Sequence, residues 1–528
     1  MFDLLFKNAK VVDGSGAPWY MADVAVKDGV IAEIGKIPES SAAMVIDAEK
    51  NVLSPGFIDI HTHSDSMIFK HKTAESRILQ GVTTDLAGDC GSSTFPYTLK
   101  QKETSTRFKE LPELGLTFDW TDANGYLNKV EKNGTSVNFA MLAGHGTIRA
   151  AVMGYEDRKA TTDELKEMQK LTAQCMEQGC YGLSTGFIYS PGCFANNEEV
   201  IELCKIVADY GGFYKSHMRH EGKKVMKSVE DTIEVGIKAG LPVQIDHHKI
   251  TGRRNWKYKC FATMAYVERA RAEGIDVTLD QYPYRASATS LTSILPEWVF
   301  EGGTPKMIER LKDTAVRSKI IAVKRKEYDK ILKLWSDVYI TSLPSEKNAW
   351  MKGLNMQEIA DKRSIDPYEA AIDLIIEEEG NVSQLTFGMC EEDIEVIMKS
   401  PYTMIGSDGS AMSIDTKDVP HPRSYGTFPR VIGEYSRNRK LFSLETAVNK
   451  MTGMPAARLK LGDRGLIKKG MCADLVLFNP NTIIDTPTFN KPNVACEGIL
   501  QVYVNGVLTA ENGKHTGALA GKVLRRGK

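Results

Sequence analysis

The chain has 528 residues, 42% of them hydrophobic, and a formal net charge of −1. That is ample material for a large core, and a charge so near balance points to neither nucleic acid nor an anionic membrane as a partner. The opening MFDLLFKNAKVVDG lacks the apolar stretch of a secretion signal, no run reaches membrane-spanning length, and nine scattered cysteines cannot all pair, so we expect a cytoplasmic protein with reduced thiols.

Residues 1–52 alternate apolar and polar in LLFKNAKVVDG and DVAVKDGVIAEIG, with turns at Asp13-Gly14 and Asp28-Gly29. This spells short antiparallel strands. Residues 462–528 read alike, with ADLVLFNP, ILQVYVNGVLTAENG and a hairpin signal at Asn505-Gly506. We expect a small β-sandwich built from both termini. Residues 53–461 alternate strand-like and helical runs. Candidate strands are GFIDI, GVTTDLAG, VNFAMLAG, CYGLSTG, GGFYKSH, LPVQIDHH, GIDVTLDQYPY and PYTMIGSDG. Thr161-x-x-Glu164, followed by Leu165, Met168 and Leu171 at helical spacing, marks a helix from Asp163 to Gln178. Eight such units spell a (β/α)8 TIM-like barrel. Its excess length falls after the seventh strand, so residues 290–350 are expected to form an insertion that acts as a lid. The basic stretch Lys306 to Lys333 reads as a solvated helical face.

Five segments put metal-type ligands at the C-terminal ends of candidate strands, where barrel sites are built. His61 and His63 follow the apolar Phe57, Ile58 and Ile60, and period-2 geometry turns both imidazoles to one side. Cys90 lies in Gly-Asp-Cys-Gly, His217 in Lys-Ser-His-Met-Arg, His247 in Ile-Asp-His-His-Lys and Asp408 in Gly-Ser-Asp-Gly. Each alone is unremarkable as a packed thiol, a structural histidine or a turn. Together, imidazoles, a thiolate and a carboxylate suit Zn²⁺. Spacing alone leaves His247 and His248 undecided, because neighbouring strand residues face opposite ways.

GFIDIHTHSD, GDCGSS, GHGTIR, GLSTGFIYSPG, KSHMRHEG, DHHK, YPYRASATSL, GSDG, HPRSYGTFPR and GMCADLVLF resemble the amidohydrolase superfamily, and within it the D-aminoacylase branch, over nearly the full length. The resemblance implies zinc-dependent hydrolysis of N-acyl-D-amino acids, small-molecule substrates. It implies a tightly held zinc on Cys90, His217 and His247, so favouring His247 over His248. It implies a weaker second site near His61, His63 and Asp408. Other branches carry a bridging lysine on the fourth strand, which here reads Cys-Tyr-Gly-Leu-Ser-Thr-Gly. Asp408 is the expected general base and acid. Arg423, Lys249 and Tyr282 match positions that contact the substrate carboxylate, and Tyr189 is expected beside the acyl group. Two positions depart from the pattern: Ala288 lacks an expected hydroxyl, and His220 stands where an acid or amide is usual. Two other readings are a cyclic amide hydrolase of hydantoinase or dihydroorotase type and a metal-free scaffold.

Overall fold

The structure is a computed structural model that describes residues 1–99, 101, 111–416 and 418–527. Strands from both ends of the chain join one nine-stranded sheet. Phe2–Val11 pairs antiparallel with Tyr20–Lys27, and Val52–Pro55 links this N-terminal half to Leu475–Phe478. Hydrogen bonding runs through one sheet rather than two separate ones. It curls so that Leu4, Val24 and Ile31 share a buried cluster with Ala473, Leu475 and Tyr503 from the far end. Asp28 and Gly29 have φ of 52° and 75°, and Asn505 and Gly506 have 49° and 81°, the left-handed pairs that tight hairpins require. Asp13-Gly14 differs. It sits in the longer connection 12–19, and Gly14 is there because a Cβ would meet the Gly465 carbonyl at 2.6 Å.

The middle of the chain is TIM-barrel-like. Phe57–Asp59, Val82–Ala87 and Asn138–Met141 pair parallel, and Ala143–Gly144 continues the third of these. From there Gly182–Gly186, Phe213–His217, Val243–Ile245, Val277–Gln281 and Thr403–Ile405 follow in parallel register. Just past the last and first of these strands, Thr62 bridges Gly409 in parallel, and Asp408 N–H donates to the His61 carbonyl at 2.9 Å. Parallel strands covered by helices are buried on both faces, and Val82–Ala87, Gly182–Gly186 and Phe213–His217 are buried along their whole length. Ile58, Ile60, Leu86, Ala140, Leu142 and Met404 gather in one buried cluster. The fully buried Arg77 donates to Asp59 Oδ2 and Ser407 Oγ, each at 2.7 Å, and so ties the first strand to the turn after the eighth.

The helix marked by Thr161 and Glu164 spans Thr162–Glu177 and carries the full capping box, with Met168 buried and Leu165 and Leu171 half-buried. Between the seventh and eighth strands lies a segment with its own three-stranded antiparallel sheet, Ser287–Ser290, Ser383–Thr386 and Val338–Ser342, and its own core from Leu291 to Val382. It therefore continues well past the expected limit of 350. Helix Thr314–Ile331, in the basic stretch, buries only Ile320 and Tyr328. Among the described residues no helix is long and apolar enough to cross a membrane.

Candidate metal centre

The strand ends bring the expected ligands together. Cys90 Sγ lies 3.5 Å from both His61 Nε2 and His247 Nε2. His247 Nε2 lies 2.9 Å from His217 Nδ1. His63 Nε2 is 3.0 Å and His61 Nε2 3.7 Å from Asp408 Oδ1. Two overlapping clusters of metal type result, His61–Cys90–His247 and His61–His63–Asp408. His217 joins through His247 and shares a third such cluster with Glu221. His248 turns away and bonds Thr263 Oγ1 at 2.9 Å, so geometry also selects His247.

The local backbone explains how these side chains reach one place. Cys90, His247 and Asp408 have φ of 53°, 30° and 52°. Such left-handed geometry costs a residue with a Cβ roughly 1–3 kcal/mol and clusters at functional sites. Here it breaks the strand alternation and swings three ligands toward a common centre. Glycines make the room: a Cβ on Gly406 would meet His61 Cβ at 2.7 Å, and one on Gly186 would meet the Cys90 carbonyl at 2.0 Å.

The electrostatics separate the groups. Burial, reinforced by His247 and Lys249, holds His217 well below the ordinary imidazole range. Burial and Lys249 lower His247 as well. Neutral imidazole is the ligating form. Burial works to raise the Asp408 carboxyl, but Arg423, His63 and the nearby imidazoles outweigh it and keep it well below the usual carboxylate range. Arg423 Nη1 pairs with Asp408 Oδ2 at 2.8 Å, its guanidinium lies 4.8 Å over the Tyr282 ring, and Nη2 donates to the Ala288 carbonyl at 3.3 Å. Position 288 thus meets Arg423 through its backbone. Tyr189 packs edge-on against His217 with ring centroids 5.2 Å apart, and its hydroxyl bonds Thr289 Oγ1 at 2.9 Å. Lys249 faces inward, 2.5 Å from Glu221 Oε1 and 2.7 Å from His247 Nδ1. His220 is half-buried, and its N–H donates to Ser228 Oγ.

Sequence reasoning missed Glu221 and a buried charge group of Lys215, Asp89, Asp246 and Asp280 around His61. The available signal was charge inside apolar strands, in Phe-Tyr-Lys-Ser-His and Val-Thr-Leu-Asp-Gln, since such residues are almost never fully buried unless paired.

The amidohydrolase family profile matches residues 44–247 and 392–510, and the unmatched stretch between them holds the seventh strand and the inserted segment. A D-aminoacylase of Alcaligenes xylosoxydans xylosoxydans is 35% identical over 99% of this chain and 98% of its own. The crystal structure of a D-aminoacylase that defines a novel subset of amidohydrolases is 37% identical, with a TM-score of 0.83 over 100% of both chains. The N-acyl-D-glutamate deacylase of Bordetella bronchiseptica, solved with zinc and a phosphonate mimic of the tetrahedral intermediate, is 31% identical, with a TM-score of 0.83 over 99% of both chains. The chain belongs to the amidohydrolase family, in the branch of the D-aminoacylases.

Proposed function

We propose that this protein is a metal-dependent hydrolase that cleaves the amide bond of N-acyl-D-amino acids to a carboxylate and a free D-amino acid. The observation that carries the reading is the convergence of a thiol, four imidazoles and a carboxylate at the strand ends, in a chain similar throughout to D-aminoacylase. We assign the metal as zinc. A mixed thiolate and imidazole set suits it, and His217 Nδ1 lies 2.9 Å from the His247 Nε2 that faces Cys90. Cys90, His217 and His247 are our tight site. His61, His63 and Asp408 are our weaker one. Bound zinc supplies a Lewis acid that acidifies water and polarises an amide carbonyl.

The protein's own groups do the rest. Asp408, ionised beside Arg423 and His63, accepts a proton at its carboxylate and returns it to the departing amine nitrogen. Arg423 grips the α-carboxylate with its planar fork, against the face of Tyr282 and with Lys249 nearby. Tyr189 borders the acyl group. Gly182–Gly186 carries no lysine, which weighs against the cyclic-amide alternative. For the molecule as a whole, we read the eight parallel segments as a closed (β/α)8 barrel spanning about 53–461, the sheet of both termini as a separate small domain, and the inserted segment as its lid. A reducing cytoplasm suits a chain whose nine cysteines are all free thiols.

The test is Cys90→Ala. It is expected to lose tightly held zinc and hydrolysis of N-acetyl-D-methionine together. Full zinc occupancy in that variant contradicts the ligand assignment.

A further inference from the structure

We infer that Lys215, enclosed by Asp89, Asp246 and Asp280 below the ligands, is a positioning residue that orients His61 and the Cys90 turn and thereby sets the metal affinity of the site. This rests on the metal-binding reading above and goes beyond it to residues that touch neither metal nor substrate.

Lys215 Nζ lies 2.6 Å from Asp89 Oδ1, 3.2 Å from Asp246 Oδ1 and 3.4 Å from Asp280 Oδ2, and donates to the Ile60 carbonyl at 2.7 Å. All four side chains are fully buried. One cation thus faces three carboxylates with no solvent to screen them, so removing it leaves uncompensated buried charge.

Each partner has a second task at the site. Asp280 Oδ1 accepts from the His247 N–H at 2.7 Å and sits 3.0 Å from His61 Nδ1, while Oδ2 accepts from Gln244 Nε2 at 2.6 Å. With Nδ1 engaged by Asp280, His61 presents Nε2 to Cys90. This is the orienting carboxylate that fixes a ligand's tautomer and ring angle. Asp89 Oδ2 accepts from the Thr62 N–H at 3.1 Å, which holds the residue between His61 and His63, and Asp89 immediately precedes Cys90. Asp246 immediately precedes His247 and lies 3.6 Å from His61 Nδ1. Lys215 itself stands two residues before His217 on the same strand. A single ammonium therefore connects the backbone or side chain of every ligand segment except that of Asp408.

The same geometry says what the group is not. His61, Asp246 and Asp280 by themselves form a cluster of metal type. The ammonium of Lys215 already supplies the cation there. Nor is Lys215 a counterpart of a carboxylated bridging lysine, since carboxylation would put an anion where three carboxyl groups converge on the ammonium.

The experiment measures zinc affinity and the visible spectrum of the cobalt-loaded protein for the parent, Asp280→Asn and Lys215→Gln. Asp280→Asn keeps volume. Its zinc affinity is expected to fall about 10–100-fold, the usual effect of removing an orienting partner. The cobalt bands, which report ligand geometry around the thiolate, are expected to shift. Lys215→Gln is expected to do the same. If that variant does not fold, Asp280→Asn alone decides. A folded Lys215→Gln with parental affinity and spectrum overturns the role of Lys215, and an unchanged Asp280→Asn overturns the orienting network. A parent that binds neither zinc nor cobalt overturns the metal reading itself, and this inference with it.

Discussion

Asp408 and Arg423 form one unit in this structure, so the chemistry at the residue scale depends on what each does apart from the other. Asp408→Asn keeps the shape but cannot accept a proton. It is expected to retain zinc while turnover falls about 10²- to 10⁴-fold, the usual worth of general acid–base assistance. Turnover within a few-fold of the parent would place the proton shuttle elsewhere. Arg423→Lys keeps the charge but loses the planar fork and its stacking on Tyr282. Its kcat/KM is expected to drop much more for N-acyl-D-amino acids than for the matching amides, whose carboxylate is capped. Equal losses on both would show that Arg423 serves Asp408 and does not read the substrate carboxylate. The guanidinium has five N–H donors, so pairing with Asp408 and with a substrate are compatible.

At the scale of elements, the segment between the seventh and eighth strands stands out. Its first strand, Ser287–Ser290, reaches the site: Thr289 bonds Tyr189, and the Ala288 carbonyl accepts from Arg423. Its core is separate from that of the barrel. An element joined to the site at one edge and carrying a core of its own is suited to close over a substrate. Amide hydrogen exchange in Ser287–Ser290 and the segment that follows is expected to slow when a phosphonate analogue of an N-acyl-D-amino acid binds. Exchange unchanged by the analogue contradicts the lid. The underestimate of this segment has a physical cause. Ser383–Thr386 reads Ser-Gln-Leu-Thr, with no apolar alternation to mark a strand, and is held by pairing to strands far away in sequence. The capping box at Thr161, by contrast, is a contact among near neighbours and was fully legible.

For the whole molecule the same division holds. His61, His63, Cys90, His217, His247 and Asp408 could be singled out because each stands at or just past the end of a candidate strand, and a barrel-like fold gathers such ends on one face. Lys215, Asp89, Asp246 and Asp280 were not, because their meaning lies in mutual contact. Asp89 and Lys215 are 126 positions apart, and only the packing of the parallel strands makes them neighbours. The curled sheet was half legible: hairpin signals marked its turns, but nothing local says that Val52–Pro55 pairs with Leu475–Phe478. The proposed activity of this assembly is metal-dependent and D-selective deacylation. The most direct measurement is release of free amino acid from N-acetyl-D-methionine and N-acetyl-L-methionine by one preparation, as isolated, after chelation and after zinc is restored. Hydrolysis of the D form is expected in large excess over the L form, lost on chelation and regained with zinc. Equal rates on the two enantiomers, or D-hydrolysis untouched by chelation with the metal shown to be gone, would contradict it.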